Sequence, residues 1–136
     1  MVNRAELLQK WEDTYKKGLL TFWLLLLLHE RSAYPYEMSE ALRKISQETI
    51  TADEKSIYRA LGRFEKMEIV GSELRESSIG PSRRYYSLTE PGIQLLADFI
   101  RRNIKIFENP LVADRVEGVL NGAHQKKDDN DHNRIP

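Results

Sequence analysis

Arginine side chains at helical spacing are the residues of this chain best suited to bind another molecule. Arg59 and Arg63 stand four positions apart within a basic stretch, residues 55–66, so a helix would place both on one face. A guanidinium presents planar N–H donors that match the edge of a guanine base, and lysine ammonium groups neutralise phosphates. These residue types at this spacing suit recognition of double-stranded DNA.

Acidic residues on the same predicted helix leave a second interpretation open. Asp53, Glu54 and Glu65 stand in or beside the basic stretch. Rows of mixed charge are typical of solvent-exposed helices. Taken by itself, the helix is explained more simply as a solvated surface.

A second basic group lies in residues 83–88, where Arg83 and Arg84 precede two tyrosines. In a strand, alternation would place Arg84 with Tyr86 on one face and Arg83 with Tyr85 on the other. The two arginines would then diverge around the ribbon, and a basic tip suits contact with a phosphate or a minor groove. For the tyrosines a purely structural role as strand formers is an even alternative. The arginines could equally keep an edge strand soluble.

The sequence lacks the arrangements that catalysis or metal binding would require. It has no cysteine, and its three histidines, His29, His124 and His132, are scattered. Nucleophile elbows, phosphate-binding glycine loops and paired histidine ligands do not occur in it. We therefore predict that the protein is not an enzyme, and we expect no catalytic residues, no metal and no cofactor.

Composition limits the size of the core and the origin of any attraction to DNA. With 136 residues and 40% hydrophobic content, the chain can bury one modest core. Its formal net charge is zero, so DNA binding would need a local basic surface. The N-terminus lacks a secretory signal, which predicts a cytoplasmic location. The apolar run 19–28 is about half of the ~20 residues that cross a bilayer, so we expect no membrane segment.

Apolar periodicity predicts the helices that must position the basic residues. A leading amphipathic helix is expected over residues 1–16, and a second helix is expected to begin at Pro35, which suits a first helical position. Thr51 and Glu54 have the spacing of a capping box before the basic helix. Within that helix the predicted core stripe is Ile57, Ala60, Leu61 and Phe64.

The second half of the chain is predicted to return from strands to helices. Residues 69–75 and 83–88 predict an antiparallel hairpin, and Thr89 can cap the helix that follows. The apolar residues between 93 and 107 form a face wider than one small core can cover. A further short helix within residues 111–120 is expected to end at Asn121-Gly122.

Several of these segments together resemble a known family. They are residues 24–28, 34–37, 56–58, 63–66 and, most specifically, 80–92, which read Gly-Pro-Ser-Arg-Arg-Tyr-Tyr-Ser-Leu-Thr-Glu-Pro-Gly. On these motifs the chain resembles the PadR family of transcription regulators over roughly residues 17–107. The resemblance implies that the basic stretch 55–66 is the recognition helix. Glu68 departs from the family pattern, because relatives usually carry a glycine after that helix.

The resemblance implies a mainly α-helical fold with a small antiparallel β-hairpin, that is, a winged helix-turn-helix with N- and C-terminal dimerisation helices. It also implies a homodimer that binds operator DNA, acts as a repressor and is released by a small, often aromatic, ligand. The alternative is a winged-helix module that binds a partner protein without DNA. Zero net charge and the absence of the post-helix glycine motivate that alternative.

These expectations define two groups of residues and four segments. The DNA-binding residues expected are Lys55, Ser56, Tyr58, Arg59, Arg63, Lys66, Arg83, Arg84 and Tyr85. The dimer-interface residues expected are Leu20, Trp23, Leu24, Leu27, Leu96, Phe99, Ile100 and Phe107. The segments are a leading helix (1–16), a DNA-binding domain (17–89), a dimerisation region (90–122) and a disordered tail (123–136).

Overall fold

Apolar periodicity that switches from helix to strand and back produces five α-helices and one hairpin in the computed structural model, which describes residues 3–122. The elements are α1 (Arg4–Glu30), α2 (Pro35–Ile45), α3 (Glu54–Lys66), β1 (Val70–Arg75), β2 (Arg83–Leu88), α4 (Glu90–Phe99) and α5 (Pro110–Leu120). A π-helical turn (Ile100–Ile104) and a 3-10 turn (Lys105–Glu108) lie between α4 and α5. The tail predicted over residues 123–136 lies outside the described residues.

Helix α1 is longer than the sequence pattern indicated. The leading helix predicted over residues 1–16 and the apolar run 19–28 are one continuous helix, so the segment boundary after residue 16 falls inside it. The Asn3 side chain caps it by accepting a hydrogen bond from the Glu6 N–H at 3.2 Å. Gly18 costs such a helix about 1 kcal/mol, which burial of Leu24 and Leu28 in the second half offsets.

The start of α3 differs from the predicted capping box. Asp53, rather than Thr51, is the cap, and its carboxylate accepts a hydrogen bond from the Ser56 N–H at 2.7 Å. The chain stays extended up to Asp53 because the Ser39 hydroxyl donates to the Ala52 carbonyl at 3.1 Å. This tertiary contact has no local signature, and it delays the helix start. Helix α2 begins at Pro35 as predicted.

The hairpin pairs β1 with β2 in antiparallel register, from Val70 opposite Leu88 to Arg75 opposite Arg83. The residue Ala33, between α1 and α2, forms an additional bridge with Tyr86 through two backbone hydrogen bonds of 3.1 and 2.8 Å. The segment before α2 is thereby fixed to the hairpin. The predicted winged helix-turn-helix architecture is confirmed.

The core lies where α1, α2, α3 and the hairpin meet. Its fully buried large side chains are Leu24, Leu25, Met38, Leu42, Ile57, Leu61 and Val70. The predicted core stripe of α3 is buried as expected. Helix α4 approaches the turn between α3 and β1 so closely at Gly92 that an added Cβ would overlap the Ile69 carbonyl oxygen. Glycine is therefore required at this position, which is the last residue of the 80–92 motif.

Three residues predicted at a dimer interface belong instead to the core of the protomer. Leu24, Leu27 and Leu96 are at most 8% exposed. Leu20 and Trp23 are half-buried and pack against the same core. An apolar sequence pattern shows that a residue avoids water, but it does not show whether its own chain or a second one covers it.

The chain divides into a unit up to Phe99 and a second unit from Ile100 onward. The first unit includes α4, so this division falls inside the predicted 90–122 region. In the second unit, none of the described residues of its helical segments is buried, and Phe107 is 55% exposed. Helix α5 begins after the Asn109 cap and ends at Asn121 and Gly122, as predicted. Among residues 3–122, none of the helices combines the length and hydropathy needed to span a bilayer.

Candidate nucleic-acid interface

The basic face of α3 is exposed and available. Burial of its apolar stripe turns the other side of the helix outward, and that side carries Lys55, Tyr58, Arg59, Arg63 and Lys66. Within residues 3–122, neither Arg59 nor Arg63 forms an ion pair. Their guanidinium groups can therefore meet an incoming base edge or phosphate without breaking an existing pair.

The N-terminal end of α3 carries a fixed negative charge. Hydrogen bonds from Ser56, first from its backbone and then from its side chain, hold the pKa of Asp53 below its ordinary value. An ionised carboxylate at this end also complements the helix dipole. Ser56 is thus engaged in capping, a role that differs from the DNA contact predicted for it.

Glu65, which favoured the solvated-surface interpretation, faces the hairpin. The Ser72 hydroxyl donates a hydrogen bond to the Glu65 carboxylate at 2.6 Å, and the Arg84 guanidinium donates to the Ser72 oxygen at 3.1 Å. This chain joins α3 to both strands. It removes an acidic side chain from the basic face and gives Arg84 a structural contact within the protein.

The hairpin of β1 and β2 is the wing of this fold, and its other two arginines lie over tyrosine rings. The Arg83 guanidinium carbon is 4.6 Å from the centroid of the Tyr34 ring, and that of Arg75 is 4.2 Å from the centroid of the Tyr85 ring. The two rings meet edge to face at 5.3 Å. Both distances are within the range of cation–π attraction. Tyr85 is thus half-buried between the Arg75 guanidinium and the Tyr34 ring.

Tyr86 has a core role. It is 2% exposed, and its backbone pairs with Ala33. Burial raises the pKa of its phenol above the ordinary value. The purely structural interpretation therefore holds for Tyr86.

An open groove of about 560 Å³ runs between the start of α2, the first half of α3 and the wing. It is lined by Tyr34, Pro35, Tyr36, Glu54, Tyr58, Pro81, Ser82, Arg83 and Arg84. The groove brings together three predicted residues, Tyr58, Arg83 and Arg84. Lys55, Arg59, Arg63 and Lys66 do not line it and lie elsewhere along α3.

Tyr34 and Tyr36 were not among the predicted site residues. Pro35 starts α2, and the tyrosines on either side of it have rings 6.5 Å apart that stack on each other at the mouth of the groove. The available signal was the Tyr-Pro-Tyr sequence at a helix start. That sequence alone does not place the two tyrosines beside the hairpin. The backbone bridge between Ala33 and Tyr86 does so, and it has no sequence signature.

Comparison with known proteins agrees with this geometry. The model of the transcriptional regulator PadR-like family matches residues 24–98. The chain belongs to the PadR-like family. A crystal structure of a PadR-like transcriptional regulator from Bacillus cereus is similar, with 31% identity and a TM-score of 0.57 over 76% of this chain and 93% of that one.

Two further relatives extend the comparison. A Streptococcus transcriptional regulator of known structure is 28% identical, with a TM-score of 0.58 over 76% of this chain and 94% of that one. A protein of Lysinibacillus sphaericus is 26% identical over 92 residues, which are 68% of this chain and 84% of the relative. Because PadR-like proteins are transcriptional regulators, family membership also confirms the prediction that this protein is not an enzyme.

Proposed function

We propose that this PadR-like protein is a dimeric, sequence-specific DNA-binding regulator that represses transcription and is released by a small ligand. The observation that carries the proposal is the exposed basic face of α3, where Arg59 and Arg63 form no ion pair with any of residues 3–122. In this arrangement α3 enters a major groove and the wing contacts the flanking backbone. The proposed DNA-binding residues are those predicted from the sequence, with Tyr36 of the groove added.

Titration of labelled promoter duplexes by fluorescence anisotropy tests this function. Replacing Arg59 and Arg63 by alanine should relax sequence preference, because guanidinium groups on base edges carry specificity. Replacing Arg83 should weaken binding to all duplexes and lower the salt slope by about 1. Lys10→Ala on α1 is the charge-matched control, and it should change neither the sequence preference nor the salt slope. Absence of salt-dependent binding to any promoter, including that of its own gene, would refute the proposal.

Two exposed apolar rows support the proposal of a homodimer. The first is on α1, where Leu8, Trp11 and Tyr15 are 54%, 75% and 55% exposed. The second is on α5, where Val119 and Leu120 are 76% and 72% exposed. Such rows are costly in water unless another surface covers them. A second copy of this chain is the proposed cover.

A protein partner other than a second copy is the alternative function. The same rows of α1 and α5 favour it, because apolar faces bind protein surfaces of many kinds. A pull-down that gives a stoichiometric foreign partner, together with no shift of DNA, would select this alternative.

The proposed ligand site lies between α1 and α4. An apolar pocket of about 230 Å³ there is lined by Gly18, Thr21, Phe22, Leu25, Leu95, Leu96 and Phe99. Its volume suits a ligand smaller than a drug-sized compound, such as one with a single aromatic ring. The Trp23 ring is 5.4 Å from that of Phe22, so tryptophan fluorescence should respond to occupancy. A flat response across many planar aromatic compounds would exclude the site.

A further inference from the structure

Three tyrosine rings in contact, two of them covered by arginine side chains, extend from the start of α2 to the wing. The ring of Tyr36 stacks on that of Tyr34, Tyr34 meets Tyr85, and the guanidinium groups of Arg83 and Arg75 lie over Tyr34 and Tyr85 respectively. We name these five residues the tyrosine–arginine ladder. The ladder is a side-chain connection between the helix-turn-helix and the wing.

The backbone of Tyr34 is held by contacts on both sides of it. It directly follows Ala33, which is paired with β2. Its own N–H donates to the Glu37 carboxylate at 3.3 Å, and that carboxylate is 3.7 Å from the Arg31 guanidinium. The backbone of Tyr34 is thus held in the free protein, and its ring contacts Tyr36, Tyr85 and the Arg83 guanidinium.

The wing arginines differ in what holds them. Arg75 pairs with Glu73 at 2.7 Å, and Arg84 donates to Ser72. Within the described part of the chain, Arg83 has neither an ion pair nor a hydrogen bond from its side chain, and an aromatic face alone fixes it. A guanidinium stacked on a ring keeps the N–H donors at its edge free, whereas one bound to a carboxylate must exchange that partner for a phosphate.

We propose that Tyr34 is a positioning residue that presents the Arg83 guanidinium to the DNA backbone beside the wing. This inference rests on the proposed DNA binding. Stacking orders the long arginine side chain in the free protein, so less conformational entropy is lost when a phosphate binds. A phenyl ring should serve nearly as well as a phenol, and an aliphatic side chain should not.

The first measurement needs no DNA. In the NMR spectrum of the free protein, the side-chain protons of Arg83 should be shifted upfield by the ring current of Tyr34. The shift should persist in Tyr34→Phe and disappear in Tyr34→Leu. An unchanged Arg83 spectrum in Tyr34→Leu would overturn the proposed stacking.

The second measurement is a double-mutant cycle on a fluorescein-labelled, mixed-sequence duplex. Tyr34→Leu should weaken binding roughly two- to fivefold, the effect of an exposed cation–π contact, and should have little effect in an Arg83→Ala background. Tyr34→Phe should restore binding to within about twofold. If Tyr34→Leu does not fold, Arg83→Lys is measured by itself, because it keeps the charge and removes the planar group that stacks on the ring. It should weaken binding by a similar two- to fivefold, and unchanged binding would overturn the role of Tyr34.

The outcomes separate the two proposals. Equal losses from Tyr34→Leu with and without Arg83, or a failure of Tyr34→Phe to restore binding, would overturn the role of Tyr34 while DNA binding stands. An unmodified protein that binds no duplex would overturn both the proposed function and this role.

Discussion

Glu68 joins α3 to β1 in a backbone conformation that glycine adopts more readily. Its φ is 62°, in the left-handed region, and its carbonyl accepts a hydrogen bond from the Thr89 hydroxyl at 2.7 Å. The sequence already marked Glu68 as a departure from the family pattern, in which a glycine usually follows the helix. The turn is formed regardless, since its neighbours Phe64 and Ile69 are buried on either side and fix the path of the chain.

Glu68→Gly should raise the free energy of unfolding by about 0.5–1 kcal/mol, because relief of left-handed strain exceeds the added entropy of the unfolded chain. Chemical denaturation measures the change. The matched control is Met67→Gly, at an exposed residue with φ of −84°, which should lower stability by about 0.5–1 kcal/mol. Destabilisation by both substitutions would show that Glu68 is unstrained.

Gly92 is the residue at which an added methyl group should be most harmful. Gly92→Ala should lower the free energy of unfolding by about 1–3 kcal/mol, because its Cβ would force α4 away from the Ile69 backbone. Gly62→Ala is the control: an added Cβ there meets nothing within 4 Å, so helix propensity should stabilise the protein by about 0.5–1 kcal/mol. Equal melting curves for Gly92→Ala and the unmodified protein would contradict the close approach.

At the scale of elements, α3 and the wing are held together by polar as well as apolar contacts. The Glu65–Ser72–Arg84 chain joins α3 to the wing, and the tyrosine–arginine ladder joins the start of α2 to the wing. The sequence predicted the helix, its core stripe and the bounds of β2, because these depend on local periodicity. It could not predict that Glu65 turns to the hairpin, or that the Arg83 side chain has neither an ion pair nor a hydrogen bond within residues 3–122. Those arrangements depend on residues distant in sequence.

The cap of α3 should make stability depend on pH. Because hydrogen bonds from Ser56 hold the pKa of Asp53 below its ordinary value, the stabilising effect is present above that value and is lost as the pH falls through the lowered pKa. Melting temperatures of the unmodified protein and Asp53→Ala should therefore differ at about pH 7 and converge in acid. Asp53→Asn, which cannot be protonated in this range, should keep a constant difference from Asp53→Ala. A constant difference for the unmodified protein would exclude the effect.

At the scale of the whole molecule, the apolar residues that remain exposed are the ones available for the proposed dimer. The row on α1 and that on α5 are exposed in one protomer, whereas Leu24, Leu27 and Leu96 are already covered. For the proposed dimer, the exposed row on α1 is therefore a better candidate for the interface than the three buried leucines.

Leu8→Asp with Trp11→Asp should convert the proposed dimer to a monomer, because a charge on each of these side chains would have to be desolvated at the interface. Analytical ultracentrifugation gives the mass directly. Lys10→Glu, also on α1, is the charge-change control and should leave the dimer intact. A monomeric unmodified protein, or a dimer unaffected by the double substitution, would contradict this interface.

The sequence by itself determined which segments become helices and strands and which side of each is apolar, because periodicity and turn residues act over a few positions. The family motif placed those segments in a winged helix-turn-helix. Only the tertiary structure decided that α1 is one helix, that Asp53 and not Thr51 caps α3, and that Tyr34 lies under Arg83. Burial of Leu24 and Leu28 supports the length of α1, the Ser39–Ala52 hydrogen bond precedes the Asp53 cap, and Tyr34 and Arg83 are far apart in sequence. Local patterns do not record such contacts between elements.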